Sequence, residues 1–200
     1  MEPKFLTLPV FPLQLVVLPG EALVLYVFED RYKELVNDCL TNNANFGIPF
    51  VQKSQLCDFG TEVLISKILR SYPNGEMDIE VKGISCFKII HFTRVLKPKL
   101  YGAASIEQLQ DPPLSDCNTL LKFLKDYFHE AKSENIPVSK LAKFSFLNLA
   151  LILNFSPEEK IELIKIQSIE EKELYVLAKI NFLSKLLRLE KNLGNKFSLN

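Results

Sequence analysis

The stretch that decides the fold is residues 8–32, which read LPVFPLQLVVLPGEALVLYVFEDRY. Pro9 and Pro12 lack the backbone N–H that a sheet ladder needs, so the opening segment is predicted to be a strand at a sheet edge. Pro19-Gly20 is typical of a turn, because proline presets φ and glycine accepts a positive φ. The stretch therefore predicts two short strands joined by a tight turn.

The second strand is expected over residues 21–28, which are apolar almost throughout, as in a buried strand. From Asp30 the hydrophobic period changes to that of a helix. Helical spacing places five side chains on one face of this helix: Tyr32, Leu35, Val36, Cys39 and Leu40. We expect the helix to pack on the sheet through that face.

Farther along, the first half of the chain continues to read as short strands with turn signals between them. Residues 72–75 predict a hairpin turn, because their Asn-Gly pair accepts positive φ. Residues 77–81 alternate between apolar and charged side chains, as in a strand with one solvated face. Gly83 predicts a bulge or a sharp bend in a strand. This pattern gives a β-rich half with one helix.

The composition changes at residues 110–115, where Pro112 and Pro113 disfavour both helix and ladder. We therefore predict a β-rich domain over residues 1–110 and a helical bundle over residues 111–200. In the helical half, residues 138–153 predict one very apolar helix. Ser156-Pro157 with Glu159 predicts a helix start, with serine as the N-cap and proline at the first helical position.

Three motifs in order resemble the opening of the Lon protease N-terminal (substrate-binding) domain. They are Phe11-Pro12-Leu13, then Pro19-Gly20, then Val27-Phe28-Glu29-Asp30-Arg31-Tyr32. The likeness is strong to about residue 95 and looser beyond it. It implies an α+β fold: a PUA-like, β-rich pseudo-barrel with one helix, followed by a C-terminal helical bundle. The motifs of the family's ATPase and peptidase modules are missing from this sequence, so we expect a stand-alone form of that domain.

The composition favours a globular chain, with 48% hydrophobic and 24% charged residues, and the 24 basic residues balance the 24 acidic ones. A nucleic-acid binder normally has a basic excess on at least one domain, and neither half has a marked one, so we expect no nucleic-acid partner.

Cys39, Cys57, Cys86 and Cys117 are too far apart for a zinc motif, and Cys39 and Cys86 are expected in the core. Widely spaced cysteines that are expected in the core, together with the lack of a membrane-spanning stretch, favour a cytoplasmic protein with no membrane partner.

Motifs for catalysis are missing from the sequence. It contains no G-x4-G-K phosphate loop. Ser139-Lys140 and Ser184-Lys185 are adjacent on helices, so their side chains point about 100° apart. His129-Glu130 lacks the second histidine of a zincin helix. We therefore expect no enzyme activity, no catalytic residue, no cofactor and no metal.

What remains is binding, and the opening motif supplies the candidate surface. Its residues are Phe11, Pro12, Leu13, Tyr26, Phe28, Glu29, Arg31 and Tyr32. An apolar, aromatic groove with a few charges suits unfolded polypeptide, which exposes apolar side chains and unpaired amides. The alternative for Phe28 and Tyr32 is a place in the core, and for Glu29 and Arg31 a role in bracing the helix start.

The leading hypothesis is a non-enzymatic module that binds unfolded polypeptide or a protein partner; its narrower form is an adaptor in proteolysis or protein quality control. Two other classes stay open. One is an RNA-binding protein, by analogy with PUA domains. The other is an interaction subunit that docks through its helical half.

Overall fold

In the computed structural model, which describes residues 6–131 and 138–197, the chain divides into two units, Met1–Gln110 and Asp111–Asn200. Over residues 6–110, the first unit contains six strands and one helix: β1 (Leu6–Val10), β2 (Ala22–Val27), α1 (Asp30–Asn42), β3 (Phe46–Gln52), β4 (Gln55–Ser71), β5 (Met77–Thr93) and β6 (Gly102–Gln108). The predicted α+β class, with a β-rich pseudo-barrel, one helix and a helical second half, is confirmed. That residues 1–110 and 111–200 are separate domains remains a prediction.

Five of the strands close into a ring because β5 pairs along both of its edges. The order β5-β4-β3-β1-β6 returns to β5, whose residues 87–93 pair with β6. β2 lies outside this ring and pairs antiparallel with residues 77–82 of β5. One 17-residue strand thus serves both the barrel and the appended strand.

β1 lies between β3 and β6, so the predicted edge position of the opening segment is wrong. The backbone N–H groups of Phe11 and Leu13 donate to carbonyl groups of β3 (2.8 and 3.1 Å). The backbone N–H groups of odd-numbered residues in this segment therefore point toward β3, and those of even-numbered residues point toward β6. Pairing with β3 begins at Val10, after Pro9, and pairing with β6 ends at Val10, before Pro12. Each proline therefore lies where the neighbouring strand requires no N–H.

β2 is an edge strand with one exposed face, and the prediction that it is buried on both faces is wrong. Leu25 and Val27 point into the core, whereas Val24 and Tyr26 point to solvent. α1 covers the core from above, and Tyr32, Leu35, Val36 and Cys39 are buried as predicted. Leu40, at the margin of the predicted face, is exposed instead.

The predicted Pro19-Gly20 turn is confirmed, and it lies directly on β5. The N–H of Glu21 donates to the carbonyl of Leu18 (3.0 Å), and Gly20 has φ of +90°. The N–H of Gly20 donates to the carbonyl of Gly83 (3.0 Å), and the N–H of Gly83 donates to the carbonyl of Glu21 (2.9 Å). The register of β4 against β5 shifts at the same place, as the predicted bulge requires.

Close packing inside the ring depends on Phe87, which is fully buried among Leu8, Val10, Ala104 and Ile106. Its ring lies against Gly60, where a Cβ would come within 2.5 Å of the ring. A larger core, which includes Phe46, Ile48 and Val63, lies beneath α1 and β2. This core holds the inward face of β2 and leaves its outward face free.

The second unit is helical in the described residues. Its elements are two short 3₁₀ helices, Leu114–Asp116 and Val138–Lys143, and four α-helices: α2 (Asn118–Glu130), α3 (Phe146–Ile152), α4 (Pro157–Lys165) and α5 (Ile169–Phe197). The predicted single helix over residues 138–153 is wrong. Ser145 caps α3 in a reciprocal box with Asn148, because a serine hydroxyl at this position satisfies the orphan N–H groups of a new helix. The predicted cap at Ser156 is confirmed.

Replacing Gly83 by alanine tests whether the turn must lie this close to β5. An added Cβ would lie 2.3 Å from the carbonyl oxygen of Leu18, which is backbone and cannot rotate away. We expect Gly83→Ala to lower the free energy of unfolding by roughly 3 kcal/mol or more in urea titration. Gly20→Ala is the matched control, since a Cβ there meets nothing within 4 Å. Alanine at position 20 would have a strained φ, which should cost only about 1–2 kcal/mol. A larger loss of stability in Gly20→Ala than in Gly83→Ala would contradict this account.

Candidate functional site

Three aromatic rings lie in a row on the outward face of the sheet. They belong to Phe28, Tyr26 and Tyr72, and we call them the aromatic ladder. The ring centres of Phe28 and Tyr26 are 5.6 Å apart, and those of Tyr26 and Tyr72 are 6.1 Å apart. The guanidinium of Arg70 lies 4.7 Å from the ring centre of Tyr72 and ends the row. The ladder is open to solvent, since Tyr26 is 50% and Phe28 55% exposed.

Strand pairing positions the ladder. Tyr26 and Asp78 are directly opposite each other across β2 and β5. The hairpin turn after β4 is closed by the N–H of Tyr72, which donates to the carbonyl of Glu76 (2.9 Å), and Gly75 takes a φ of +81° as the sequence predicted. Because this turn follows β4 and precedes β5, it brings Tyr72 beside Tyr26.

Carboxylates fix the polar tips of both tyrosines. The hydroxyl of Tyr26 donates to the carboxylate of Glu76, and that of Tyr72 donates to the carboxylate of Asp78 (2.9 Å). The hydrogen bond to Glu76 raises the pKa of Tyr26 to about 12, because it stabilises the protonated hydroxyl. The ring faces, and not the hydroxyl groups, are therefore what the ladder offers to a ligand.

β2, which carries Tyr26 and leads directly into Phe28, also has an open backbone edge. Within residues 6–131 and 138–197, β2 pairs with β5 alone, and residues 22–27 form no backbone hydrogen bond beyond that pairing. An unpaired strand edge presents a row of N–H and C=O groups that an extended chain can complete. Val24, at 54% exposure, extends the apolar face along the same strand.

Phe11 and Tyr32, which the sequence analysis proposed as contacts, lie together in the core. Their rings stack with centres 3.7 Å apart, and they are only 6% and 7% exposed. Burial raises the pKa of the Tyr32 hydroxyl. This stack joins the opening segment to α1 beneath the surface, as the alternative interpretation of Tyr32 held.

Glu29 and Arg31 form an exposed ion pair at the start of α1. The guanidinium of Arg31 lies 2.7 Å from the carboxylate of Glu29 and 4.5 Å from the ring centre of Tyr32. Glu29 stands at the N-cap position, but its side chain makes no capping hydrogen bond. The pair borders the ladder through Phe28, its neighbour in sequence, and it is accessible to a ligand.

Pro12 and Leu13 are half-buried, and Leu13 packs against the core that contains Phe11 and Tyr32. Of the eight predicted residues, the structure thus brings Tyr26 and Phe28 together on the surface and Phe11 and Tyr32 together in the core. Sequence reasoning missed four residues of the exposed face: Val24, Arg70, Tyr72 and Glu76. The Asn74-Gly75 turn was the one signal for Tyr72 and Glu76, but the register against β2 was not readable from the sequence.

The described residues contain no group of three or more His, Cys, Asp or Glu side chains able to hold a metal. Glu130, from the incomplete zincin pattern, instead pairs with Arg188 (3.3 Å). The side chain of Ser139 lies outside the described part of the structure. Among the helices described, none combines the length and the apolarity needed to cross a membrane.

Comparison with known proteins gives one family and a set of similar folds. The family model of the ATP-dependent protease La (LON) substrate-binding domain matches residues 7–180. The Lon N-terminal domain protein from Xanthomonas campestris is 24% identical, with a TM-score of 0.65 over 86% of this chain and 98% of that one. The N-terminal domain of Lon protease from the Mycobacterium avium complex is 14% identical, with a TM-score of 0.64 over 88% of this chain and 98% of that one.

Among curated proteins, none matches this chain. The two solved structures support the fold, and the family model extends over both units of the chain, including every residue of the aromatic ladder. The chain belongs to the family of ATP-dependent protease La (LON) substrate-binding domains.

Proposed function

We propose that the protein binds unfolded polypeptide along the free edge of β2, with apolar side chains of the polypeptide resting on the aromatic ladder. One observation carries this proposal: half-exposed aromatic rings lie on a strand whose outer backbone edge has no partner among the described residues. Contiguous exposed apolar patches often mark interaction sites, and open strand edges are normally protected. The family's role in substrate binding supports the same conclusion.

The geometry suits an extended chain. A polypeptide added to the edge of β2 would donate and accept backbone hydrogen bonds at alternate residues. Its side chains on one face would repeat every two residues, a spacing of about 6.5–7 Å. Tyr26 and Phe28 are also two residues apart, so successive side chains of the added strand would meet successive rings. Backbone bonding makes such recognition tolerant of sequence, and the rings select apolar side chains.

Charge around the ladder supports polypeptide over RNA as the ligand. Basic Arg70 and Arg31 stand beside acidic Glu29, Glu76 and Asp78, so this face has no continuous basic stripe. RNA binding without such a stripe would be weak at physiological salt.

A module that holds unfolded chains is suited to act as an adaptor that delivers them to a protease, and this is the role that we propose in the cell.

Phe28→Ser tests the ladder. The wild-type protein should bind a permanently unfolded probe, fluorescent reduced and carboxymethylated α-lactalbumin, with a Kd on the order of micromolar or weaker in an anisotropy titration. Phe28→Ser should raise that Kd about tenfold, because an exposed aromatic anchor typically carries 1–2 kcal/mol of binding energy. The melting temperature should not change, since the side chain is 55% exposed.

Phe123→Ser is the matched control for this experiment, because Phe123 is also a surface phenylalanine (42% exposed) but lies on α2. It should leave the Kd unchanged. Equal losses in both variants would contradict the proposed site. Binding of an RNA oligonucleotide with a steep salt dependence, without binding of the unfolded probe, would refute the proposed function.

Arg31→Ala and Tyr32→Ala separate contact from scaffold. Tyr32 is buried against Phe11, so its truncation should lower the free energy of unfolding by about 3 kcal/mol and the melting temperature by several degrees. Arg31 forms an exposed ion pair worth at most about 1 kcal/mol, so Arg31→Ala should barely change the melting temperature. Calorimetry of both variants measures this difference. A stable Tyr32→Ala protein that loses probe binding would instead make Tyr32 a contact residue.

A further inference from the structure

A stripe of exposed residues runs along the first half of α5. Its members follow one another at intervals of three, four, four and three residues: Glu171, Leu174, Ala178, Phe182 and Lys185. These intervals place all five side chains on one face of the helix. Leu174 is 67% and Phe182 54% exposed, so the apolar part of this face is uncovered within the described residues.

The stripe is symmetric about Ala178. Going outward from it, an apolar side chain lies four residues away on either side, and a charge lies seven residues away on either side. The two charges are opposite, with Glu171 at one end and Lys185 at the other. Such a pattern is complementary to itself when two copies run in opposite directions.

We propose that this face of α5 binds the α5 of a second copy of this chain, antiparallel, with the two-fold axis at Ala178. Glu171 then faces Lys185 of the second copy, and Leu174 faces Phe182 of the second copy. The two Ala178 residues meet at the centre, where their small side chains let the helices approach closely. This is an isologous interface, in which each contact occurs twice.

The state of the charges supports this arrangement. Two other basic groups on α5 already have partners: Lys179 pairs with Glu159 (2.7 Å) and Arg188 pairs with Glu130 (3.3 Å). Within the described residues, Glu171 and Lys185 form no ion pair. A parallel arrangement would set Glu171 against Glu171 and Lys185 against Lys185, and like charges in register oppose association. The charges therefore favour the antiparallel direction.

A cavity next to the stripe offers room for the second copy's side chain. It has a volume of about 210 Å³ and is lined by Phe155, Glu159, Tyr175, Ala178, Lys179 and Phe182. Leu174 of the second copy faces Phe182, at the mouth of this cavity. When this leucine side chain enters the cavity, it covers apolar surface of the lining aromatic rings, and the removal of that surface from water favours association.

Charge reversal tests the register of this dimer. Sedimentation velocity over a range of concentrations should show a species with twice the 22.9 kDa mass of one chain. Glu171→Lys and Lys185→Glu should each raise the dimer Kd about tenfold, because each sets like charges opposite one another at two symmetric places. The double variant should restore the wild-type Kd. Glu170→Lys is the matched control: it reverses a charge in the same first turn of α5 but lies off the stripe, so it should change the dimer Kd little.

Cross-linking tests the two-fold axis independently. Ala178→Cys should form an intermolecular disulfide under mild oxidation, because the axis brings residue 178 next to its own copy. Asn181→Cys should not, since the antiparallel register displaces it from its copy by about 9 Å along the helix, beyond the reach of a disulfide. The proposal is overturned if the wild-type chain stays monomeric at about 1 mM. It is equally overturned if the double charge variant fails to restore association, or if both cysteines cross-link alike.

Discussion

The backbone contact between Gly83 and the turn at residues 18–21 is the constraint on which the β-rich unit depends. Gly83 lies where β5 changes partner: its pairing with β2 ends at Lys82, and its pairing with β6 begins at Phe87. Two hydrogen bonds join the turn to this point of β5, and no side chain fits between them. The contact lets one long strand close a barrel at one end and carry an additional strand at the other.

That additional strand is where the barrel offers a ligand site. Every strand of the ring has a neighbour on each side, whereas β2 has one neighbour among the described strands. Its inward residues, such as Leu25 and Val27, fix it to the core beneath α1. Its outward residues are then free to form the aromatic ladder, so structural and binding roles are divided between alternate residues of one strand.

Local signals in the sequence predicted local features well. Proline before glycine fixed the turn at residues 18–21, the hydrophobic period identified α1, and serine with glutamate three residues later located the start of α4. Each of these features depends on residues within a few positions of one another. The same holds for the hairpin at Asn74-Gly75, which needs only a residue that tolerates positive φ.

Features that depend on distant pairing were not predictable in this way. Pro9 and Pro12 suggested an edge strand. In the structure, pairing with β3 begins at Val10 and pairing with β6 ends at Val10, so neither proline lies where a backbone N–H is needed. The apolar run in β2 suggested burial on both faces, but the core lies against one face only and the other is exposed. Tyr72 joined the candidate site only through the register of β4 and β5 beside β2. A one-residue change in that register would turn its ring to the other face.

The central claim is that unfolded polypeptide binds at the free edge of β2. It is tested most directly by ¹⁵N–¹H correlation spectra of the labelled protein during titration with an unfolded, unlabelled polypeptide. The account predicts that the amide signals of residues 22–28 and of the turn at residues 72–76 shift together. A strand added to β2 would accept hydrogen bonds from the free N–H groups of that strand, and its side chains would cover the ladder beside the turn. Shifts confined to the helical unit, with the signals of β2 unchanged at saturation, would contradict it.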